Sequence, residues 1–157
     1  RAPRTCDLSN HAVLLEFSDF ECPYCAKARD TVKAFVAQHP DQVTLVYKHL
    51  PLSAIHAQAL PAASAAYAAQ QQNQFWAYHD ALFDHQDQLG EEFYLETAQA
   101  LNLDIEQFNR DRTQASDIIQ QDIDLAFHLG LHGTPFFVFQ GQTFAGVVPV
   151  EELEALL

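Results

Sequence analysis

Two cysteines separated by two residues, Cys22-Pro23-Tyr24-Cys25, are the part of this sequence best suited to chemistry. They follow an apolar run, Val13-Leu14-Leu15-Glu16-Phe17. They precede a segment in which Ala28, Val32, Phe35 and Val36 fall on one helical face. At a strand-to-helix junction the first thiol meets free N–H groups and the positive end of the helix dipole, which favour a thiolate. The second thiol lies one turn on, on the same side and within reach of a disulfide. In that setting the pair is a two-electron redox device, with Cys22 attacking and the more buried Cys25 resolving. Zinc would need two further ligands. The third cysteine, Cys6, stands far upstream, and none of the eight histidines is paired at a convincing spacing. No metal or other cofactor is expected.

Other residues gather around the pair. Glu16 interrupts a run that is apolar on both faces, so the strand is expected to be central and Glu16 buried. A buried carboxyl has a raised pKa and can carry the proton that Cys25 gains or loses; the alternative is a purely structural acid. Lys48, at the end of the second strand, is a candidate charge partner of Glu16, the alternative being that Glu16 has none. Asp19 and Glu21 are expected to face solvent. Gly133-Thr134-Pro135 opens a later apolar strand, where a proline is tolerated at the first position. One physical use of an X-Pro bond there is the cis form. His132, beside it, is either a donor to the Cys22 thiolate or an exposed loop histidine. Cys6 is left as an incidental thiol, a link to another chain or a third redox partner.

These residues need elements to hold them. The periodicity predicts strands at Ala12–Phe17 and within Gln42–Leu50, with a helix from Cys22 to Gln38 between them. Pro23 stands in the first turn of that helix, where its missing N–H costs nothing. Helices are then predicted at Leu60–Gln72, Asn73–His85 (the alternative being one continuous helix through both), Glu91–Leu101, Asp104–Arg110 with Asp104 as N-cap, and Thr113–Leu129 ended by Gly130. Strands return at Pro135–Phe139 and Gln142–Phe144, joined by Gln140-Gly141, and a short helix closes the chain at Pro149–Leu157. Residues 1–11 show no period and read as a loose lead-in. The order implies one domain over residues 1–157, a central sheet packed by helices, with an all-helical insertion at 52–130.

Composition narrows the function classes. The chain has 157 residues, 48% of them hydrophobic, enough for one full-sized core. Its net charge of −13 argues against nucleic acid and against an anionic membrane surface. No apolar run approaches the ~20 residues that span a bilayer. The start at Arg1 reads as a processed or trimmed N-terminus, with any address signal outside the chain.

The segment Phe17-Ser18-Asp19-Phe20-Glu21-Cys22-Pro23-Tyr24-Cys25, with Gly133-Thr134-Pro135 much later, resembles the DsbA-like branch of the thioredoxin-fold disulfide oxidoreductases. Leu50-Pro51-Leu52, His56, Phe75-Trp76 and Tyr78-His79 resemble that family's helical insertion. The resemblance runs from about Ala12 to the C-terminus. It implies an α/β thioredoxin-like fold, a central mixed sheet with flanking helices and an all-helical insertion. It implies Cys22 as the exposed nucleophile, Cys25 as the resolving cysteine, Glu16 as the buried acid and Thr134-Pro135 as a cis-proline loop that pairs with an extended substrate peptide beside Pro23 and Tyr24. Two features differ from the best-known members. The dipeptide is Pro-Tyr rather than Pro-His, and the short lead-in suggests that a first edge strand is missing or displaced.

The expected activity is thiol:disulfide exchange through a mixed disulfide at Cys22, introducing disulfides into extracytoplasmic, for example periplasmic, proteins. A reductase or isomerase of the same fold, and a non-catalytic chaperone-like module, are the alternatives. Cys22 is expected to titrate below a free thiol but above the most oxidising members, because Pro23-Tyr24 supplies no cation. The implied partners are cysteine-containing proteins and a redox partner, of the membrane DsbB type by resemblance. The chain is expected to be a monomer.

Overall fold

The structure, a computed structural model, describes residues 1–6 and 10–157, so residues 7–9 of the lead-in lie outside the described residues. Its centre is β1 (Ala12–Ser18). Leu14, Glu16, Phe17 and Ser18 are all buried, as the apolar character of both strand faces requires. The four strands lie in the order β2 (Val43–His49), β1, β3 (Phe136–Phe139), β4 (Gln142–Ala145). β2 runs parallel to β1, and β3 and β4 continue antiparallel. A parallel pair needs a crossover, which α1 (Pro23–Gln38) supplies. The turn between β3 and β4 is Gln140-Gly141, with φ of 50° and 74°. Two left-handed residues give the hairpin a turn whose twist matches that of its strands.

Between β2 and β3 the regular elements are helical: α2 (Ala59–Gln70), α3 (Phe75–Asp84), α4 (Glu91–Ala100), α5 (Ile105–Thr113) and α6 (Ser116–His128). Seven alanines of α2 are buried. A helix apolar around its whole circumference belongs inside, and the small side chains let neighbouring helices approach it closely. Tyr78, Leu82, Tyr94 and Phe108 from the surrounding helices join Phe20, Cys25 and Tyr47 in one core. A second core lies between the sheet and α1, where Leu14, Val32, Phe35, Phe137 and Phe139 meet Leu153 of α7 (Val150–Glu154).

α2 and α3 are two separate helices, because the chain turns at Asn73, whose φ is 61°, a conformation asparagine tolerates. Two expectations about elements are corrected. The helix predicted from Thr113 begins at Ser116. The preceding helix runs on to Thr113, whose hydroxyl donates to the Arg110 carbonyl at 2.7 Å. The lead-in is not loose in its first part. Residues 3–5 lie antiparallel along the outer edge of β2: Tyr47 N–H donates to Pro3 O at 2.9 Å and Thr5 N–H to Leu45 O at 3.1 Å. This strap is the displaced edge strand.

Candidate active site

Cys22 is the N-cap of α1, with extended backbone (φ −77°, ψ 122°), and Pro23 follows in the first turn. Cys25 lies one turn in. Cys22 is 5% exposed and Cys25 is fully buried. The thiols are not bonded to each other. Across from them the Thr134–Pro135 peptide bond is cis, and the Cys22 Sγ lies 3.7 Å from the Thr134 carbonyl oxygen.

The two thiols hold their protons very differently. The Cys25 thiol donates to the Cys22 sulfur, and this pulls the Cys22 pKa down to about 5 against the opposing effect of burial. The Thr134 hydroxyl and the N–H groups of Cys25 and Tyr24 lower it further. Burial pushes the Cys25 thiol far up, and the Cys22 thiolate it serves holds the proton there. In the reduced pair, then, the negative charge belongs to the Cys22 sulfur at the head of α1 and the proton to the fully buried Cys25. The Tyr24 ring points outward, 60% exposed, with the Lys27 ammonium 5.5 Å from its centre. It reaches the thiolate through its backbone only.

Glu16 is 3% exposed, and burial raises its pKa to about 8. Lys48 is not its partner. Glu16 aligns with Tyr47 across β1 and β2, so the next residue, Lys48, points to the other face. There its ammonium lies 3.4 Å from Asp122 of α6, which also accepts the His49 N–H at 2.9 Å.

Asp19 and Glu21 do not face solvent. Asp19 is 2% exposed, and its carboxylate accepts from the N–H groups of Glu21 at 2.8 Å and Leu52 at 3.0 Å and meets His56 Nδ1 at 2.8 Å. Glu21 accepts the Gln58 N–H at 2.8 Å. These bonds tie the loop before Cys22 to the chain after β2. They also hold His56 beside the pair. Its pKa is raised first by Asp19 and, more weakly, by Cys22. Gln86 completes the frame by donating to the carbonyls of Phe20 at 2.7 Å and Cys22 at 3.0 Å.

His132 is exposed in the loop before Thr134 and is not among the groups that act on the Cys22 thiolate. Cys6 belongs elsewhere: its Sγ lies 2.9 Å from Thr44 Oγ1 and 3.3 Å from His11 Nδ1. Sequence reasoning passed over the Asp19–His56 contact, the Gln86 bonds and the polar side chains of Tyr47 and His49 on the Glu16 face. The one available signal was strand alternation, which puts Leu45, Tyr47 and His49 on the same side.

A model of the DSBA-like thioredoxin domain matches residues 13–157. Among curated proteins, the chain is 38% identical over 158 residues to the Na(+)/H(+) antiporter NhaA 3 of Salinispora tropica. That match takes in 99% of this chain and 23% of the antiporter, so the chain spans about a quarter of the length of that relative. Among the described residues, no helix is long and apolar enough to cross a membrane. Among solved structures, a thioredoxin-like oxidoreductase from Silicibacter pomeroyi superposes with a TM-score of 0.88 at 34% identity, covering 99% of this chain and 89% of that one. The thiol-disulfide exchange protein alpha-DsbA2 of Wolbachia pipientis shares the fold, with a TM-score of 0.86 at 21% identity over 98% of this chain and 84% of its own. With a thioredoxin-like sheet, a cysteine pair at the head of α1 and a matching family over nearly its whole length, the chain belongs to the DSBA-like thioredoxin domain family.

Proposed function

We propose that this protein donates the Cys22–Cys25 disulfide to cysteine-containing proteins in an oxidising, extracytoplasmic compartment. The observation that carries this reading is the uneven proton affinity of the pair, low at Cys22 and high at Cys25. A thiol titrating at about 5 instead of 9.0 is ionised roughly a hundredfold over at pH 7. For a two-electron couple this favours the reduced form by roughly 60 mV. A protein whose reduced form is stabilised gives its disulfide away, and an oxidising compartment is where such a donor has work.

A substrate thiolate attacks Cys22, the Cys22–Cys25 bond breaks, and the electron pair leaves on Cys25, which takes a proton. A second substrate thiolate then attacks the substrate sulfur of the mixed disulfide and releases Cys22 as thiolate. Two electrons pass from substrate to protein. Glu16, buried on the face behind Cys25, is the proposed source of the Cys25 proton. Thr134 and Pro135, with Pro23 and Tyr24 opposite, are the proposed walls of the site for an extended substrate segment, and His132 sits at its rim. The reduced pair is reoxidised by a separate redox partner, of the DsbB type by family resemblance, and the protein acts as a monomer.

Two measurements test this. Titration of the thiolate by ultraviolet absorbance is expected to give a midpoint near 5 for Cys22, lost in Cys22→Ser along with all exchange activity. The reduction potential is expected to lie between about −200 and −120 mV, near the oxidising relatives. A Cys22 pKa of ~8 or above, or a potential at or below about −270 mV, the thioredoxin value, would make the protein a reductase instead. Full activity in Cys22→Ser would make it a binding module.

A further inference from the structure

Glu16, Ser18, Tyr47 and His49 form a polar patch on one face of the sheet. Alternation along β1 places Glu16 and Ser18 together, and the parallel register sets Tyr47 beside Glu16 and His49 beside Ser18. All four are buried, and Tyr47 is fully so. Tyr47 and Cys25 belong to the same core. The hydroxyls of Ser18 and Tyr47 are buried without a hydrogen-bond partner among the described residues. Leaving such a group unpaired is costly, so two of them on one face call for a use.

We infer that the Tyr47 and Ser18 hydroxyls relay the proton between Cys25 and Glu16, and that Glu16 exchanges it with solvent through a cavity walled by α1 and α3. The inference rests on the reading of Glu16 as the proton source for Cys25. Ser18 neighbours Cys25 and Tyr47, since it lowers the pKa of both. Tyr47 in turn feels the charges of Glu16 and Cys25. A hydroxyl both donates and accepts, so each can pass a proton on without holding one. Tyr47 itself stays neutral, because burial pushes its pKa well up.

The other titratable groups around the path do not compete. From β2, His49 is held near 3 by burial and stays uncharged. From α3, His79 is lowered by burial, and its Nδ1 is 3.0 Å from Asp80. Asp19, in the loop after β1, has its carboxylate occupied by Glu21, Leu52 and His56. Arg29 and Lys33 of α1 are engaged by Asp84 and Asp80 at 2.6 and 2.7 Å.

The exit is visible as a cavity of about 260 Å³ lined by Glu16, Val32, Lys33, Ala37, Trp76 and Asp80, among others. Its volume admits several waters. It reaches the surface, where Lys33 is 65% exposed. Cys22, Cys25, Thr134 and Pro135 are not among its lining residues. A substrate covering the Cys22 face therefore leaves this route open. When substrate thiolate breaks the Cys22–Cys25 bond, the proton moves from Glu16 through Tyr47 and Ser18 to the departing Cys25 thiolate, and Glu16 is reprotonated from the cavity. The charge balance is that of the exchange reaction, with one proton drawn from water per disulfide opened.

The test is Tyr47→Phe, which deletes an unpartnered hydroxyl and keeps the ring. Single-turnover reduction of the oxidised protein by a reduced two-cysteine peptide is followed from pH 5 to 10 by quenching and alkylation. The wild-type rate is expected to climb with substrate ionisation and to fall off near pH 8, where Glu16 loses its proton. Tyr47→Phe is expected to slow the neutral-pH rate tenfold or more, to abolish the fall near pH 8, and to leave the Cys22 titration in place. Glu16→Gln should do the same, and the double variant should be no slower than Glu16→Gln alone. Ser18→Ala provides the same readout if Tyr47→Phe does not fold. Wild-type rates and an intact alkaline limb in Tyr47→Phe, or in Ser18→Ala where that stands in, overturn the relay while Glu16→Gln still shows its effect. A Glu16→Gln protein with wild-type rates overturns the role of Glu16 and the relay together.

Discussion

At the scale of single residues the site separates what a side chain does from what the backbone does. Thr134 acts on Cys22 twice, through a carbonyl 3.7 Å from the sulfur and through a hydroxyl that favours the thiolate. Valine keeps the shape and the carbonyl and removes only the hydroxyl. Thr134→Val is therefore expected to raise the Cys22 pKa by up to about one unit. Thiolate titration of the variant checks this, and an unmoved pKa would assign the effect to the backbone. The cysteine pair at the head of α1 and the burial of Glu16 were legible in the sequence, because a two-residue spacing before a helix and an acid in a strand apolar on both faces are local signals; the cis Thr134–Pro135 bond was implied by the family resemblance and not by the residues alone. Asp19 and Glu21 were misread as solvent-facing because their partners, the N–H groups of Leu52 and Gln58, come from beyond β2. Nothing local marks a carboxylate that is satisfied by distant backbone.

At the scale of elements, helix ends and turns were the most legible features. Asp104 caps α5 by accepting the Gln107 N–H at 2.9 Å, as its position before the helix suggested. α6 ends as predicted at Gly130, with φ 73°, where the Leu131 N–H bonds back to Ala126 O at 2.9 Å. That closure needs a left-handed residue. Gly130→Ala meets no steric neighbour, so its cost is conformational alone, about 1–2 kcal/mol. Urea unfolding at equilibrium measures it, and a loss under ~0.3 kcal/mol would mean that the α6 terminus adapts. Pro135 starts the strand run only five residues later, so the loop geometry that presents Thr134 is anchored at this glycine. The strap along β2 was illegible because it pairs through main-chain groups and the Thr5 hydroxyl, which accepts the Leu45 N–H at 3.0 Å. Such pairing leaves no hydrophobic period.

At the scale of the whole molecule, Cys22 and Glu16 both contribute to the response to pH, with opposite signs. Cys22 has a depressed folded pKa, so its contribution to the reduced protein is complete above the unfolded value of 9.0 and vanishes as pH falls through about 5. Glu16 has a raised one, so its contribution is complete below the unfolded value of 4.5 and is lost as pH rises through about 8. At pH 7 the buried carboxyl costs roughly 3 kcal/mol relative to a group that does not ionise. Glu16→Gln is therefore expected to be more stable than the parent near neutrality and equal to it near pH 4, read from urea midpoints at both values. The absence of a pH-dependent difference would mean that Glu16 ionises freely. The redox couple carries the same signature. Between the two thiol pKa values, reduction takes up one proton for two electrons, so the potential should fall by about 30 mV per pH unit above pH 5 and about 60 below it. The fold was legible at this scale because the strand and helix signals alternate cleanly around a long helical stretch.

The strap along β2 has an optical consequence. The protein has a single tryptophan. The Trp76 indole N–H donates to the Arg4 carbonyl at 3.2 Å, inside that strap, and the ring stands edge-on to Tyr47 with centroids 6.5 Å apart. Trp76 therefore touches the displaced edge strand on one side and the polar patch behind the cysteines on the other. Its emission is a built-in reporter: a red shift that precedes global unfolding marks the strap peeling away, with no label added to the protein.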